Sequence, residues 1–270
     1  MTEAAVGTFL GIALPLGCHT DLAVLRLEGS VIDERGDHVL VRSPASPLYY
    51  WGNFVLVTDP HRVDDPQHWL DLFEREFPDA AHRAIGLVAA PTDAAAWRAL
   101  GLELDHDAVL AAERCPEPTS VPQGYLVKQI VDSIEWEQST GMRIQEFAEG
   151  NPREAEHERN RTESRMALSR QGTVAWFGAF HGDRLAAELG IVDCGEGVAR
   201  YQSVVTAADH RRRGLAGHLL GVAAQWAAER GARRWVIVAE DGSDASRLYQ
   251  SRGFAPADSG ARAERKPAAG

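Results

Sequence analysis

The sequence contains few cysteines, and their placement argues against two common ways of stabilising a small domain. Cys18, Cys115 and Cys194 lie far apart, with no Cys-x-x-Cys pair and no histidine at ligand spacing beside them. A zinc site or a disulfide framework needs clustered cysteines, so we expect neither. We therefore predict that no metal is bound and that the protein works in the reducing environment of the cytoplasm.

Two nucleotide-binding signatures are also missing. The sequence has no Gly-x-x-x-x-Gly-Lys-Ser/Thr and no Gly-x-Gly-x-x-Gly. The first cradles phosphates in many NTPases, and the second opens the dinucleotide-binding fold. Both of these classes are therefore disfavoured.

Basic residues and long apolar runs are scarce as well. There are 28 lysines and arginines against 39 aspartates and glutamates, which gives a net charge of −11. General nucleic-acid binders have a basic footprint, so we expect no nucleic-acid partner. The apolar run at residues 4–18 is too short to span a bilayer, and Pro15 interrupts it. We expect no membrane partner and interpret this run as a buried element at the start of the fold.

What the sequence does contain is typical of a soluble globular protein. Hydrophobic residues make up 44% of the 270 positions and charged residues 25%, which allows one large domain or two ordinary ones. Residues 115–124 hold three prolines and show no periodicity, so they form the best domain boundary. We predict one domain at 1–118, a second at 122–258, and a disordered polar tail at 259–270.

The first half predicts a strand and helix alternation. Residues 21–42 alternate as in a β-hairpin around a turn at 34–37, and an apolar strand follows at 54–57. Asp65 and Pro66 mark the start of a helix. A second strand at 84–90 precedes a short helix that ends near Gly101.

The second half predicts a longer series of elements. Asp132 and Glu135 have capping-box spacing, and Asn151 with Pro152 opens a heavily charged helix. We interpret that charged helix as solvated, with a substrate-facing role as the alternative. The further elements are strands at 125–131, 173–180, 184–192, 198–206 and 235–239 and helices at 215–230 and 244–252.

The stretch from Val204 to Leu220 has the composition of a phosphate site. An apolar strand passes through a polar turn into a helix, whose first N–H groups have no partner within the helix. Gly214, Ala216 and Gly217 have small side chains or none and permit close approach to the backbone. Three arginines, at 211–213, would add charge-assisted hydrogen bonds to phosphate oxygens.

This stretch resembles the acyl-CoA pyrophosphate loop of the GNAT N-acetyltransferase superfamily. The family signature is Arg or Gln, two residues, Gly, one residue, and Gly or Ala, which Arg211, Gly214 and Ala216 match. Residues 245–254, ASRLYQSRGF, resemble the family's later motif of Ala, a spacer, Leu-Tyr, three residues and Gly-Phe. The resemblance covers the C-terminal half and implies a GNAT fold, an α/β architecture with a mixed, mostly antiparallel sheet flanked by helices.

The first half looks like a degenerate copy of the second. When Gly101 is laid over Gly253, Trp97 falls at Tyr249 and Leu102 at Phe254, but no phosphate-loop signature precedes this copy. We expect two tandem GNAT-like domains, the first without the loop. The alternative is that any strand followed by a helix ending in glycine would align in this way. The tandem architecture also resembles mycothiol synthase, although no residue selects that acceptor.

The resemblance implies acetyl-CoA as the acyl donor and assigns roles to individual residues. Tyr249 is the expected general acid for the departing sulfur. Glu188 is a candidate general base, with a solvent-facing strand position or a water chain as alternatives. Gly242 stands where many relatives have an asparagine that contacts the pantetheine arm, which puts that contact in doubt. The residues expected at the cofactor are Val204, Val205, Thr206, Arg211, Arg212, Arg213, Gly214, Leu215, Ala216, Gly217, Ser246 and Tyr249.

The predicted function is transfer of an acetyl group to a primary amine of a small molecule or peptide by direct attack. The alternative is a non-catalytic acyl-CoA-binding sensor or interaction protein that keeps the loop without turnover. We expect a monomer or a homodimer.

Overall fold

The computed structural model describes residues 6–9, 11–47, 49–258 and 260–266. The chain divides into two compact units. The N-terminal unit comprises Met1–Val109, Ala239–Asp241 and Ala257–Gly270, and the C-terminal unit comprises Leu110–Val238 and Gly242–Pro256. Each unit mixes helices with a mostly antiparallel sheet, as the predicted α/β class requires.

The helices and strands follow one another in a regular order. The first part of the chain forms β1 (Val6–Phe9), β2 (Ile12–Pro15), α1 (Leu16–Leu27), β3 (Val31–Glu34), β4 (His38–Arg42), β5 (Phe54–Val57), α2 (Pro66–Glu76), β6 (Arg83–Leu87), α3 (Ala94–Ala99), β7 (Glu103–Asp105) and β8 (Asp107–Ala112). The rest forms β9 (Leu126–Gln129), α4 (Ser133–Phe147), α5 (Pro152–Gln171), β10 (Val174–His181), β11 (Arg184–Asp193), β12 (Val198–Thr206), α6 (Leu215–Ala228), β13 (Arg234–Glu240), α7 (Asp244–Ser251), β14 (Ala255–Asp258) and β15 (Ala261–Arg265).

The N-terminal unit is built on a six-stranded sheet in the order β3-β4-β5-β6-β15-β7. Strands β5 and β6 are parallel, and the other neighbours in this sheet are antiparallel. Leu40, Val55 and Ile85 are fully buried in its core. The first two strands form a separate hairpin.

The predicted hairpin at 21–42 is partly wrong. Residues up to Leu27 belong to helix α1, and the partner of β4 is the short strand β3. Four consecutive residues from Leu22 to Leu25 are all buried, so the apolar run has no polar positions that would distinguish a strand from a helix. The helix begins where the Gly17 N–H donates to the Asp258 carboxylate at 2.7 Å.

The predicted disordered tail is also wrong for the residues that the structure describes. Residues 261–265 form β15, which lies between β6 and β7, so that Ala263 pairs with Ile85 on one side and Leu104 on the other. Ala261 and Ala263 are buried, whereas the intervening Arg262 is half-buried. Small and charged residues therefore fill a central strand. Residues 259 and 267–270 lie outside the described part of the chain.

The C-terminal unit is built on a sheet in the order β14-β8-β13-β12-β11-β10-β9. This sheet includes β8, which precedes the proline-rich stretch. The division between the units falls within β8, after Val109, whereas the sequence predicted it near residue 118. The proline-rich stretch packs on α6: a Cβ added to Gly221 would lie 2.1 Å from the Pro118 nitrogen. The His218 ring also hydrogen-bonds the Thr119 carbonyl. This part of the proline-rich stretch is therefore held against α6.

The predicted helix starts of the second half agree with the structure. Asp132 and Glu135 form a full capping box at α4. Asn151 caps α5, which ends at Gly172 in the left-handed conformation. Among the described residues, no helix has the length and apolarity needed to cross a bilayer.

The two units share a helix ending. The carbonyl of Trp97 accepts hydrogen bonds from the N–H groups three and five residues further along the chain, at the end of α3. The carbonyl of Tyr249 does the same at the end of α7. The donors are Leu100 N (3.1 Å) and Leu102 N (3.3 Å) for Trp97, and Arg252 N (2.9 Å) and Phe254 N (3.2 Å) for Tyr249. Gly101 and Gly253 both have positive φ, +74° and +93°. This shared geometry agrees with the predicted internal repeat.

We expect loss of β15 to unfold the N-terminal unit. A chain ending at Asp258 leaves β6 and β7 without their shared neighbour, which should cost about 3 kcal/mol or more in unfolding free energy. Urea unfolding of this truncation should be compared with a chain ending at Lys266, which keeps the strand. Equal stability of the two truncations would contradict a structural role for β15.

Candidate functional site

Strand β12 contains a bulge beside the candidate site. Between the pairs Glu188–Val205 and Gly190–Gln202, the chain advances two residues along β11 but three along β12. Ser203 takes up the extra residue with a φ of +49°, which is unusual for a residue with a side chain. A bulge bends a strand and redirects the neighbouring backbone groups. Here it redirects Val204.

The same strand separates from its parallel neighbour at this point. The recorded pairing of β12 with β13 joins only Val198–Arg200 to Arg234–Val236. From there to Thr206, β12 continues its pairing with β11. The edge of Val204 and Val205 that faces away from β11 is thus available to a ligand, near the carboxyl ends of two parallel strands.

Helix α6 starts without a side-chain cap. Gly214 occupies its N-cap position in the left-handed conformation, with a φ of +81°. Side-chain oxygens cap α2, α3, α4, α5 and α7. No described side chain accepts from the first N–H groups of α6, at residues 215–217. Since such donors need an acceptor, this helix start favours an anion.

The three arginines beside this start differ in their contacts. Arg211 is held by the Glu146 carboxylate, with its Nη2 at 2.8 and 3.1 Å from the two oxygens, and its Nε donates to the Thr206 carbonyl. The Nη2 of Arg213 donates to the Asp209 carbonyl at 3.0 Å. Arg212 is 88% exposed at its side chain and lies 3.7 Å from an Asp244 oxygen. The loop is cationic, but part of its charge is already paired.

Helix α7 brings Tyr249 to the same region. A Cβ added to Gly217 in α6 would lie 3.8 Å from the Arg252 side chain and 4.0 Å from that of Leu248, so the two helices pack together. Tyr249 is buried beside Phe254, and burial raises its pKa to about 12. Its phenol is therefore protonated at neutral pH.

Ser246, also expected at the cofactor, is buried in α7. Its backbone N–H donates to the Ser243 cap, and its hydroxyl accepts from the Gln250 amide at 3.2 Å. Both hydrogen bonds are made to residues of α7 or to its N-cap.

Glu188 is fully buried, which rules out the solvent-facing alternative. Its Oε1 accepts from Arg143 Nη1 at 2.9 Å. Burial raises the pKa of Glu188, and the positive charge of Arg143 offsets only part of that increase. The pairing of Glu188 with Val205 places it one strand away from the bulged edge of β12.

Charged residues of α4 and α5 form a buried network above Glu188. Arg143 and Arg165 both donate to Glu158 Oε2 at 3.0 Å. Burial alone would raise the pKa of Glu158, but the charges of Arg165, Arg161 and Arg143 outweigh it and lower the pKa to about 2. The prediction that α5 is simply a solvated helix is therefore wrong, because one of its faces is buried with its charges paired.

The N-terminal unit has carboxylates where the C-terminal unit has arginines. Asp65 caps α2 by accepting from the His68 N–H, and Asp59 accepts from the His61 N–H at 2.9 Å. Asp64 accepts from the Thr92 N–H at 2.7 Å. These charges would repel a phosphate, as expected of a copy that has lost its loop.

Sequence reasoning missed three features of the site. A serine inside an apolar strand gives no sign of a bulge, so Ser203 was not predicted. Arg143 and Glu146 were not singled out, because charged residues on a helix are usually solvated. Their spacing of three places them on one helix face, and this is the only signal that would have linked them.

Comparisons with known proteins agree with this geometry. The acetyltransferase (GNAT) family matches residues 134–254. A search of curated proteins found no match. Similar folds occur in a conserved protein of unknown function from Staphylococcus epidermidis, with 12% identity over 88% of this chain and 95% of that one and a TM-score of 0.69. A GCN5-related N-acetyltransferase from Kribbella flavida is 17% identical over 94% of this chain and 97% of that one, with a TM-score of 0.65. A tandem GNAT protein from the clavulanic acid biosynthesis pathway is 15% identical over 93% of this chain and 88% of that one, with a TM-score of 0.55.

The structural similarities cover both units of the chain and agree with a tandem GNAT-like fold. Residues 134–254 match the acetyltransferase (GNAT) family, and the whole chain shares its two-unit fold with the tandem GNAT protein.

The two buried carboxylates should affect stability with opposite pH dependence. The pKa of Glu158 is lowered to about 2, so its contribution is present above its unfolded value, amounts to about 3 kcal/mol and is lost as pH falls. The pKa of Glu188 is raised, so its contribution is present at low pH and lost as pH rises.

Urea unfolding across the pH range will test this opposition in two matched variants. Glu158→Gln should be less stable than wild type at neutral pH and approach it in acid. Glu188→Gln should gain stability relative to wild type as pH rises. The same trend in both variants would contradict the assignment.

Proposed function

We propose that the protein is an acetyl-CoA-dependent N-acetyltransferase that acetylates a primary amine of a small molecule or peptide by direct attack. The observation that carries this proposal is the start of α6, where Gly214 in the left-handed conformation leaves the first N–H groups without a side-chain cap. Both the helix dipole and these donors favour the pyrophosphate of CoA.

The residues present fit the cofactor. The N–H groups of Leu215, Ala216 and Gly217 would hold the pyrophosphate, and the arginines at 211–213 would surround it. Thr206 and Ser246 remain expected contacts. When bound, acetyl-CoA supplies the acetyl group as a thioester that an amine can attack.

Backbone groups of β12 would stabilise charge at the reacting carbonyl. The bulge at Ser203 and the separation of β12 from β13 leave the edge of Val204 and Val205 available. An N–H on this edge would donate to the carbonyl oxygen as negative charge develops. Because successive N–H groups of a strand point to opposite edges, one of the two valines fills this role.

Two side chains would move protons. Glu188 would accept a proton from the acceptor ammonium, and its raised pKa makes the carboxylate a stronger base than an exposed glutamate. Tyr249 would donate its proton to the departing sulfur, and a pKa of about 12 keeps that proton in place until it is needed. Together they allow attack without a covalent enzyme intermediate.

No disulfide joins Cys18, Cys115 and Cys194, which agrees with the cytoplasm as the proposed location. We keep a monomer or a homodimer as the expected state, with no nucleic-acid or membrane partner.

Ala216→Asp should weaken CoA binding about tenfold or more, a loss of about 1.4 kcal/mol. A carboxylate in the first turn stabilises a helix but repels a phosphate, so this variant separates binding from folding. Calorimetric titration of CoA and acetyl-CoA will measure the change. The control is Gln225→Glu, which adds the same charge at an exposed position near the other end of α6.

Equal affinity of Ala216→Asp and wild type would place CoA elsewhere. If the wild-type protein binds neither CoA nor acetyl-CoA, the acetyltransferase proposal fails.

Tyr249→Phe should lower kcat about 100-fold or more while leaving the affinity for CoA nearly unchanged. The substitution removes only the hydroxyl from a buried ring, so packing against Phe254 is kept. Release of CoA thiol in the presence of a panel of primary amines will measure turnover. Full activity of the variant would show that Tyr249 is not the acid. Tight binding by wild type without turnover of any amine would favour the acyl-CoA sensor instead.

A further inference from the structure

Arg143 directs all three of its guanidinium nitrogens at buried partners. Its Nη1 donates to Glu188 and to the Ser139 hydroxyl. Its Nε donates to Glu158 Oε2 at 3.0 Å, and its Nη2 donates to the Thr162 hydroxyl at 3.0 Å. The side chain has no solvent exposure. The Arg143 guanidinium can therefore hold a carboxylate in one orientation, because it is planar and its N–H groups point in fixed directions.

The two oxygens of Glu188 are in different situations. Oε1 is bound by Arg143, whereas Oε2 is buried and has no hydrogen-bond partner among the described residues. An unpaired carboxylate oxygen in the interior is costly, and a cationic donor would relieve that cost. The ammonium of an amine acceptor is such a donor. Glu188 pairs with Val205, which lies at the proposed site of the thioester carbonyl. Its Oε2 is therefore on the strand next to that site.

The charges around Glu188 come from two helices. Helix α4 contributes Arg143, and α5 contributes Arg165 together with Glu158, which binds both arginines. The neighbouring strand β10 contributes the Trp176 ring, whose centroid lies 5.8 Å from the Arg143 guanidinium carbon. Arg143 and the Ser139 hydroxyl bond directly to the Glu188 carboxylate, and Arg143 is the charged one of the two.

We propose that Arg143 is a positioning residue, which fixes Glu188 through Oε1 so that Oε2 receives the proton of the acceptor ammonium. This proposal rests on the proposed acetyltransferase function. One proton moves from nitrogen to Oε2, the carbon–sulfur bond breaks as the carbon–nitrogen bond forms, and Tyr249 protonates the sulfur. The second nitrogen proton replaces the one lost by Tyr249, and Glu188 returns its proton to solvent.

Arg143→Gln should raise the titration midpoint of Glu188 by about one pH unit or more, because a neighbouring cation favours the carboxylate. Carbon NMR of glutamate-labelled protein, with Glu188→Gln to assign the signal, will measure the midpoint without requiring turnover. With an amine found by screening, the acid limb of kcat/KM should move by the same amount, while CoA affinity stays constant.

Two further variants guard against a folding defect in Arg143→Gln. Arg143→Lys should restore most of the wild-type midpoint, because it keeps the charge. Thr162→Val removes one acceptor of Arg143 and should give a smaller shift in the same direction. The control is Arg184→Gln on the same strand as Glu188, which removes an exposed charge paired with Asp209 and should leave the midpoint unchanged.

An unchanged midpoint in both Arg143→Gln and Thr162→Val would overturn the proposal. A midpoint that moves while the acid limb stays in place would overturn it too, because Glu188 would then not take the proton. Failure of the proposed function gives a different result, since wild-type protein would not bind CoA in calorimetry.

Discussion

Backbone N–H groups without an internal partner are the constraint on which the candidate site depends. Every helix start leaves such groups, and most of the helices here satisfy them with an Asp, Asn or Ser cap. Helix α6 begins at a glycine instead. The two units differ here, because Asp65 caps α2 whereas no side chain caps α6. The two units thus differ in whether a side chain accepts from the first N–H groups of this helix.

Helix α4 connects two parts of the site that the sequence places far apart. Arg143 binds the Glu188 carboxylate, and Glu146 binds Arg211 beside the start of α6. Burying the Arg143–Glu188 pair costs desolvation energy, which the Coulomb attraction between the two charges offsets only when their geometry is good. Here the geometry is supplied by Ser139, Glu158 and Thr162. Such an arrangement favours a defined orientation over stability.

Local sequence signals predicted many helices and strands of the C-terminal unit but few of the contacts between residues that are distant in sequence. Capping residues at Asp132 and Asn151 and the turn at Gly214 act over a few residues, so the sequence alone located these elements. Helix α1 was missed because a uniformly buried run has no periodicity. Strand β15 was missed because small and charged residues become a strand only between partners about 160 to 180 residues away in sequence. The Arg143 network has the same origin, since burial of its charges depends on packing.

The placement of β15 bears on the order in which the protein is made. Strands β6 and β7 leave the ribosome early, but β15, which pairs with both, follows only after strands β8 to β14 of the other sheet. Domains usually fold in the order of their synthesis, N-terminal first. In this chain the N-terminal sheet stays incomplete until every strand of the other sheet has been synthesised, whereas that other sheet receives its first strand, β8, early. A nascent chain that ends before β15 would therefore carry two unpaired strand edges, and such edges are a template for pairing with other chains.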